Sequence, residues 1–493
     1  MAIFRCEFAV PQGSSLSGAA HRCEALVVGS GPGGSVTAWT LAQQGKNVLV
    51  IEEGSEFPLG SCQPFSLDEL RQKYRAGGMN PSVGSPSIPF VEGRCLGGGS
   101  EINSGMYHRT PPETLEFWRK QFGVELLQEE NLRPHFEACE TALSVRLNPG
   151  RLPGPGIKMR HGAESLNWRT KEVPRWFRYQ EIPSADRRYS GTRQSMTESL
   201  IPVAKSLGCK FLTGARARNI SQTQNHWRVE GALGGERIVI DADAVFLCCG
   251  AVQTPALLRR AGIRLNVGNS LACHPTIKVV AIFPEEVNDQ PEDVAPQQVT
   301  EFAPAMSMGC SVSSLPHLAM AMAEHPDAQF ALNKDWRRAA IFYAMITGPN
   351  TGTVRNVPFS SDPLVRHKLE AEHFRALALA LGKLCRLLFA AGAERLYPSI
   401  AGCPVLKSES DLAQIPEELP RARTSLMTIH LFSSCPMGSD RERCAVDSFG
   451  KVHGYRNLFV NDASLLCTAP GVNPQGTIMA LSRRNALHYA KAL

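Results

Sequence analysis

The stretch EALVVGSGPGGSVTAWTLAQQGKNVLVIEEG, Glu24 to Gly54, decides how the rest of the chain is read. Ala25 to Val28 is a short apolar run suited to a buried parallel strand. Gly29, Gly31 and Gly34 follow as G-x-G-x-x-G, with Gly33 inside the motif, and Val36 to Gln44 reads as a helix. Asn47 to Ile51 is a second buried strand that ends at Glu52, 23 positions after the first glycine. Each residue type has a task in a βαβ unit that holds a dinucleotide. Gly29 permits the tight turn, Gly31 lets a pyrophosphate approach the backbone, and Gly34 lets helix and strand pack closely. The helix N-terminus turns free N–H groups and a positive dipole end toward phosphate. Glu52 can accept hydrogen bonds from ribose hydroxyls and would repel a 2′-phosphate. The bland alternative is a glycine-rich turn without a ligand. Strand, glycines, helix, strand and acid in register favour the nucleotide site, without separating FAD from NAD.

The chain has 493 residues, 43% hydrophobic and 20% charged, with a net charge of +6. That is a globular composition, long enough for about three domains. So mild a charge does not argue for nucleic acid. The 15 cysteines include no C-x-x-C, which argues against a zinc site or a secreted disulfide framework. They read as reduced thiols, and the expected location is cytoplasmic. The N-terminus lacks the long apolar core of a secretory signal. The apolar region Ala376 to Gly392 is interrupted by Lys383 and Arg386, so a core helix explains it better than a transmembrane span.

Read in order, residues 1–22 form a lead-in, with an extra edge strand as one option. Residues 55–92 are rich in Pro, Gly and Ser, with a short helical patch at Leu67 to Tyr74, and such a long connection can serve as a cover. Leu115 to Phe122, Leu132 to Leu143 and Ser195 to Leu207 have helical spacing. Between residues 168 and 193, Arg169, Lys171, Arg175, Arg178, Arg187, Arg188 and Arg193 crowd among aromatics. A solvated basic face is the usual meaning; a site for an acidic substrate group or an electron-acceptor partner is the sharper one. Trp227 to Ala232 and Arg237 to Ile240 suit a hairpin around Gly234-Gly235. Ala244 to Cys249 is a buried strand ending in Gly250, and Thr254-Pro255 is expected to open a helix at Ala256. Ile277 to Phe283 and Ala339 to Ile346 are strand candidates, and His373 to Gly392 is an apolar helix. Met306, Met308, Met320 and Met322 are core residues by default, some of which could line an apolar pocket.

GRCLGGGSEINSGMYHRT, Gly93 to Thr110, exposes many backbone N–H groups through Gly97, Gly98 and Gly99, ahead of Ser100 and Asn103. With this loop the chain resembles the glucose–methanol–choline (GMC) flavin oxidoreductases, on Gly93-Arg94 through Gly97-Gly98-Gly99-Ser100 to Asn103. GAVQTPALLRRAGI, from Gly250, resembles the second signature of that family, and NSLACHP, Asn269 to Pro275, its returning segment. The resemblance implies FAD, with Arg94, Gly97, Gly98, Ser100 and Asn103 along the cofactor. Some relatives link the flavin through a His just before the Asn. Ile102 stands there, which implies non-covalent FAD.

The last segment carries TIHLFSSCPMG, then VNDASLL and APGVNPQGTIMALSRRN. Asp462-Ala463 resembles the family strand end near the ribityl chain and pyrophosphate. At Gly476-Thr477, a helix start could offer N–H groups to the flavin pyrimidine edge, where negative charge develops on reduction. Alcohol oxidation needs an acceptor for the O–H proton, and a histidine suits that near neutral pH. By resemblance, His430 is that base and Asn473 its partner, a pairing nearer the cholesterol and choline oxidising members. His108 and Cys435 are secondary candidates. His274 reads as a structural contact.

The expected architecture is α/β: a Rossmann-like FAD-binding domain with a discontinuous substrate domain on a mostly antiparallel sheet. Residues 1–114, 191–275 and 431–493 are assigned to FAD, and 115–190 and 276–430 to the substrate. The expected reaction is oxidation of a small-molecule alcohol to an aldehyde or ketone by hydride transfer to flavin N5, with no metal. Oxygen or another acceptor, the identity of the alcohol and the oligomeric state stay open. Rivals are a lyase or light-driven decarboxylase on the same FAD site, a pyridine-nucleotide reductase, for which no second G-x-G-x-x-G is found, and a non-catalytic nucleotide-binding protein.

Overall fold

The apolar run at Ala25 begins earlier, at His21, and forms an inner strand of a seven-stranded sheet. The computed structural model describes residues 21–78, 80–182, 188–290, 293–329 and 332–492, so the edge strand considered for the lead-in lies outside the described residues. β1 (His21–Val28), α1 (Pro32–Gln43) and β2 (Val48–Glu52) make the expected βαβ unit. β1 and β2 run parallel, Val28 opposite Ile51. On its other side β1 runs parallel to Glu236–Leu247, Val28 opposite Leu247. That strand runs parallel to Leu458–Val460, Leu247 opposite Val460. Four strand ends therefore share one rim, where open parallel sheets bind their ligands.

Three local expectations change. The hairpin around Gly234-Gly235 forms, but the strand candidates at 237–240 and 244–249 are one 12-residue strand, Glu236–Leu247. It pairs antiparallel with its hairpin partner and parallel with β1. The helix expected from Ala256 starts at Gly250 and runs to Arg260, with Pro255 inside it. Proline offers no N–H to the carbonyl four residues back. That carbonyl, of Ala251, instead accepts from the Ser434 hydroxyl at 2.6 Å. The helix expected from Ser195 is confined to Leu200–Ser206. Ahead of it the Ser199 hydroxyl donates to the Ser195 carbonyl, the side-chain competition that makes serine a poor helix interior residue.

A second, six-stranded sheet is antiparallel throughout. Its order is Arg395–Pro398, Thr276–Ile282, Ala339–Ile346, Met306–Cys310, Gln297–Val299, Thr170–Glu172. Ile277, Val279, Met308, Phe342 and Ala344 on its back pack against Phe374, Leu377 and Leu381 of the helix Ala371–Ala390. Met306 and Met308 are in that back cluster, Met320 is exposed, and Met322 packs with Val280 and Ile341, so all four are clear of the site below. Residues 55–92 do reach across the molecule: Phe65 packs against the cluster of Met106, Val173, Val294 and Val312. Among the described residues every cysteine is an unpaired thiol, no helix is long and apolar enough to cross a membrane, and no acidic, His or Cys cluster could hold a metal ion.

Candidate active site

The glycines of the first turn divide by task. A Cβ on Gly29 would meet the Cys248 carbonyl at 2.4 Å, and Gly29 has φ +99°, which favours glycine. A Cβ on Gly34 would meet the Gly29 carbonyl at 1.9 Å, and one on Gly33 the Asn461 carbonyl at 2.2 Å. These three let backbone pack on backbone. Gly31 differs: a Cβ there would find only the Gly98 Cα, 4.0 Å away, and at Gly99 and Gly250 one would find nothing within 4 Å. These positions border open space at the strand rim. At the end of β2, Glu52 accepts from Ser30 N–H at 3.0 Å, Ser30 Oγ at 2.8 Å and Gly54 N–H at 2.9 Å. Burial raises its carboxyl above the usual range against those donors.

The Gly97 loop is stitched to this turn, since Gly97 N–H donates to Ser30 Oγ at 3.1 Å. Ser100 is buried, donating to the Gly97 carbonyl at 2.8 Å and accepting from Met196 N–H at 3.0 Å, so its hydroxyl braces the loop. Arg94 pairs with Glu53 at 2.9 Å, next to Glu52. Asn103 donates to Gln475 Oε1 at 2.7 Å, tying the loop to the start of the C-terminal helix Gln475–Lys491. That helix sits close because Gly476 has no side chain: a Cβ would meet the His108 carbonyl at 2.2 Å. Thr477 shares a hydrogen bond with Thr110 at 2.8 Å. The backbone N–H groups at this helix start have no preceding helical carbonyl to bond. Asp462 accepts from Gly250 N–H at 2.8 Å and Thr254 Oγ1 at 2.5 Å, and caps Ser464 at 2.8 Å, while Ala463 packs against the Phe90 cluster.

Strand register brings two histidines together. Ala272–Cys273 and Leu431–Phe432 pair antiparallel, Cys273 opposite Leu431, so the next pair is His274 and His430. Their Nδ1 atoms are 3.0 Å apart. Gly471 N–H donates to His274 Nε2 at 3.2 Å, so neutral His274 carries its proton on Nδ1, aimed at His430. On the other side, Asn473 Nδ2 is 3.4 Å from His430 Nε2, and Asn473 Oδ1 accepts from Gln298 Nε2 at 3.1 Å. Gln298 Nε2 also stands 2.9 Å from the Tyr343 hydroxyl. His430 thus meets a donor at each ring nitrogen, while a neutral imidazole has one lone pair to offer. The Asn473 chain favours that lone pair on Nε2; the His274 chain favours it on Nδ1.

Burial holds His430 down to about 4 and His274 well below the usual histidine value, with His430 adding to the latter. His108 is pressed down to about 3 by burial, Lys171 and His430, against a bond to Gln298, and its Nδ1 has no partner. The three histidines are neutral at physiological pH. Cys435 is fully buried and burial pushes its thiol up, so it is no nucleophile. A separate cavity of about 750 Å³ lies among Glu113, Phe117, Asn266, Pro304, Asn350 and Arg443, and none of the residues above lines it. Gln298 was not singled out in the sequence, and His274 was read as structural only. Gln298 sits in a three-residue strand, too short for any pattern, while the CHP segment did hold a signal for His274.

The model for GMC oxidoreductases matches this chain over residues 70–276 for its N-terminal part and 352–482 for its C-terminal part. An NAD(P)-binding Rossmann-like model matches residues 27–88. An uncharacterized GMC-type oxidoreductase of Sinorhizobium fredii is 38% identical over 474 residues, 94% of either chain. The chain belongs to the GMC oxidoreductase family. It is accordingly a flavin-dependent oxidoreductase of the class acting on CH–OH donors. A long-chain-alcohol oxidase of Arabidopsis thaliana is 26% identical over 95% of this chain and 69% of its own. Pyridoxine 4-oxidase from Mesorbium loti shares the fold, with a TM-score of 0.73 at 20% identity over 95% of this chain and 99% of that one. The residues present fit the family's FAD. Gly31, Gly99 and Gly250 leave open backbone along the rim, Glu52 ends β2 where a ribose would lie, and Asn103 ties the glycine loop to the C-terminal helix start.

Proposed function

We propose that the chain oxidises an alcohol to an aldehyde or ketone, with His430 as the proton acceptor and Asn473 as its partner. One observation carries this reading: His430 and Asn473, from separate segments, converge at 3.4 Å beside the helix start that Asn103 ties to the glycine loops. Residues 1–114, 191–275 and 431–493 hold FAD, and 115–190 and 276–430 cover it. Gly29, Gly31, Gly33 and Gly34 shape the turn for the pyrophosphate, with Glu52 on the ribose. Arg94, the Gly97-Gly98 loop, Ser100, Asn103, Gly250 and Asp462-Ala463 form the remaining cradle, and Gly476 and Thr477 offer N–H groups to the pyrimidine edge. Ile102, a hydrocarbon before Asn103, has no nucleophile to attach a flavin, so the cofactor is non-covalent. When bound, FAD supplies the hydride acceptor at its N5.

His430 is neutral through burial and takes the O–H proton at Nε2. The Gln298–Asn473 chain presents that lone pair, because Asn473 Nδ2 faces it as a donor, and it does so against His274, whose Nδ1–H then faces the Nδ1–H of His430. The second Nδ2 hydrogen is free to hold the alcohol oxygen. The carbon loses a hydride and the oxygen a proton, which leaves the carbonyl. Dark, anaerobic mixing of FAD-loaded protein with sugars, choline, aryl alcohols, long-chain alcohols and sterols tests the reading. Bleaching of the flavin band by one class supports it, and admitting air then separates oxidase from dehydrogenase. Yellow protein that none of them bleaches counts against it.

A further inference from the structure

Two lysines on the front of the second sheet take no part in the chemistry above. Cross-strand pairing runs Lys171, Gln298, Gly309, Tyr343, Lys278 in one row over five strands. Directly paired residues share a face, and the bond from Gln298 to Asn473 makes it the face turned toward His430. Tyr343 leans across Gly309 to reach Gln298; a Cβ on Gly309 would meet its hydroxyl at 2.6 Å. A lysine therefore closes the row at either end. Among the described residues neither lysine's ammonium group has a hydrogen bond or an acidic partner. Burial alone draws Lys278 down to about 8 and lowers Lys171, with no carboxylate acting on either. The neighbouring arginines are already used: Arg169 pairs with Glu301 at 2.9 Å, Arg175 forks Asp293 at 2.8 and 2.9 Å, and Arg193 donates to the Glu101 and Asn103 carbonyls. Beyond Lys278 the face is closed by the helix Leu315–Ala321, whose His317 is held down to about 4 by burial and by Lys278. Lys171 is solvent-exposed at the sheet edge, but Lys278 is partly buried, and a partly buried cation without an acid is costly, a cost that a bound anion offsets.

We propose that the alcohol this site oxidises carries an anionic group, a carboxylate or a phosphate monoester, held by Lys278, with Lys171 adding attraction from the far end of the row. The proposal rests on the alcohol-oxidation reading and narrows it. The hydroxyl lies at His430 and Asn473, and the anion points along the sheet. Three strand spacings of about 4.8 Å separate Gln298 from Lys278, which suits a substrate several carbons long.

The test uses the full FAD-loaded chain, anaerobically. Straight-chain 1-alkanols, ω-hydroxycarboxylates and ω-hydroxyalkyl phosphates are matched in length, and second-order rate constants for flavin bleaching are compared. One anionic series should exceed the neutral one by roughly 10- to 100-fold, the worth of one charge-assisted hydrogen bond, and which series it is names the group. Lys278→Met should collapse that ratio toward one, and Lys278→Arg should keep most of it. If Lys278→Met does not fold, Lys171→Met should lower the ratio in the same direction. Neutral alcohols matching both anionic series at every length, or an undiminished ratio in the folded Lys278→Met variant, would overturn the proposal while leaving alcohol oxidation standing. If no alcohol of these series and none of the wider panel above bleaches the flavin, the oxidation reading fails. The anion site is then judged by alkyl carboxylates and alkyl phosphates without a hydroxyl: a shift of the oxidised flavin spectrum that Lys278→Met weakens supports it, and no shift overturns it.

Discussion

Nδ1 of His274 stands 3.0 Å from Nδ1 of His430. At that distance the two rings cannot both carry a charge cheaply, and burial already favours the neutral forms. His430 is therefore a neutral imidazole over the whole neutral range, the form that the proposed base needs. Its proton balance is set by which neighbour, His274 or Asn473, owns its lone pair.

The pH dependence follows with a definite sign. A base must be unprotonated, and His430 is held down to about 4, so flavin reduction should be level from about pH 6 upward and fall as pH drops through about 4. Stability should move the same way. The unfolded chain binds the proton at the ordinary histidine value and the folded chain only near 4, so stability is full above the unfolded value and is lost as pH falls through that window. Anaerobic stopped-flow reduction and melting curves across pH check both. An acid limb centred on the ordinary histidine value would contradict the burial of His430.

His430→Ala should keep yellow, FAD-bound protein and slow flavin reduction by roughly 100-fold or more, the usual contribution of a general base. Stopped-flow bleaching with the best alcohol is the measurement. Undiminished reduction would remove His430 from the mechanism.

Gly31→Val should fold and lose FAD. Gly31 has φ −61° and ψ −175°, extended backbone that valine adopts, and its Cβ direction is open apart from Gly98. The added side chain fills the space a pyrophosphate needs. Circular dichroism and the flavin content of the purified variant check it, and a folded, stoichiometrically yellow variant would sink the nucleotide-site assignment.

Gly309→Val should leave FAD in place and slow reduction by roughly fivefold, because its side chain collides with the Tyr343 hydroxyl and breaks the chain to Gln298 and Asn473, one hydrogen bond of about 1 kcal/mol. Flavin content and stopped-flow reduction measured together distinguish this from general unfolding. A variant with unaltered reduction would detach Tyr343 from the site.

The nucleotide half was legible because its rules are local. Turn glycines, an apolar strand pair and Glu52 fall within one short stretch, and backbone sterics at Gly29 and Gly34 demand those residues whatever the rest does. His430 and Asn473 were legible through their flanks. Gln298, Tyr343 and Lys278 were not, because their meaning lies in a register across five strands drawn from residues 170 to 346, a row that also holds Lys171 of the basic stretch. In the basic stretch 168–193, spacing cannot reveal that Arg175 is consumed by Asp293, 118 positions away, while Lys171 keeps its charge unpaired. The helix boundaries at Gly250 and Leu200 turned on single hydroxyls: Ser434, which only the folded chain brings to Ala251, and Ser199, which bonds locally to the Ser195 carbonyl.

The central claim is that this chain removes a hydride from an alcohol carbon while His430 holds the proton. Its most direct test is anaerobic reduction of the bound flavin by one reactive alcohol, with protium or deuterium at the carbinol carbon, in the native protein and in His430→Ala. The account predicts bleaching that deuterium slows severalfold in the native protein, and reduction in the variant that is slower with either isotope. A flavin that no alcohol reduces, or one reduced equally fast with deuterium in both proteins, would contradict it.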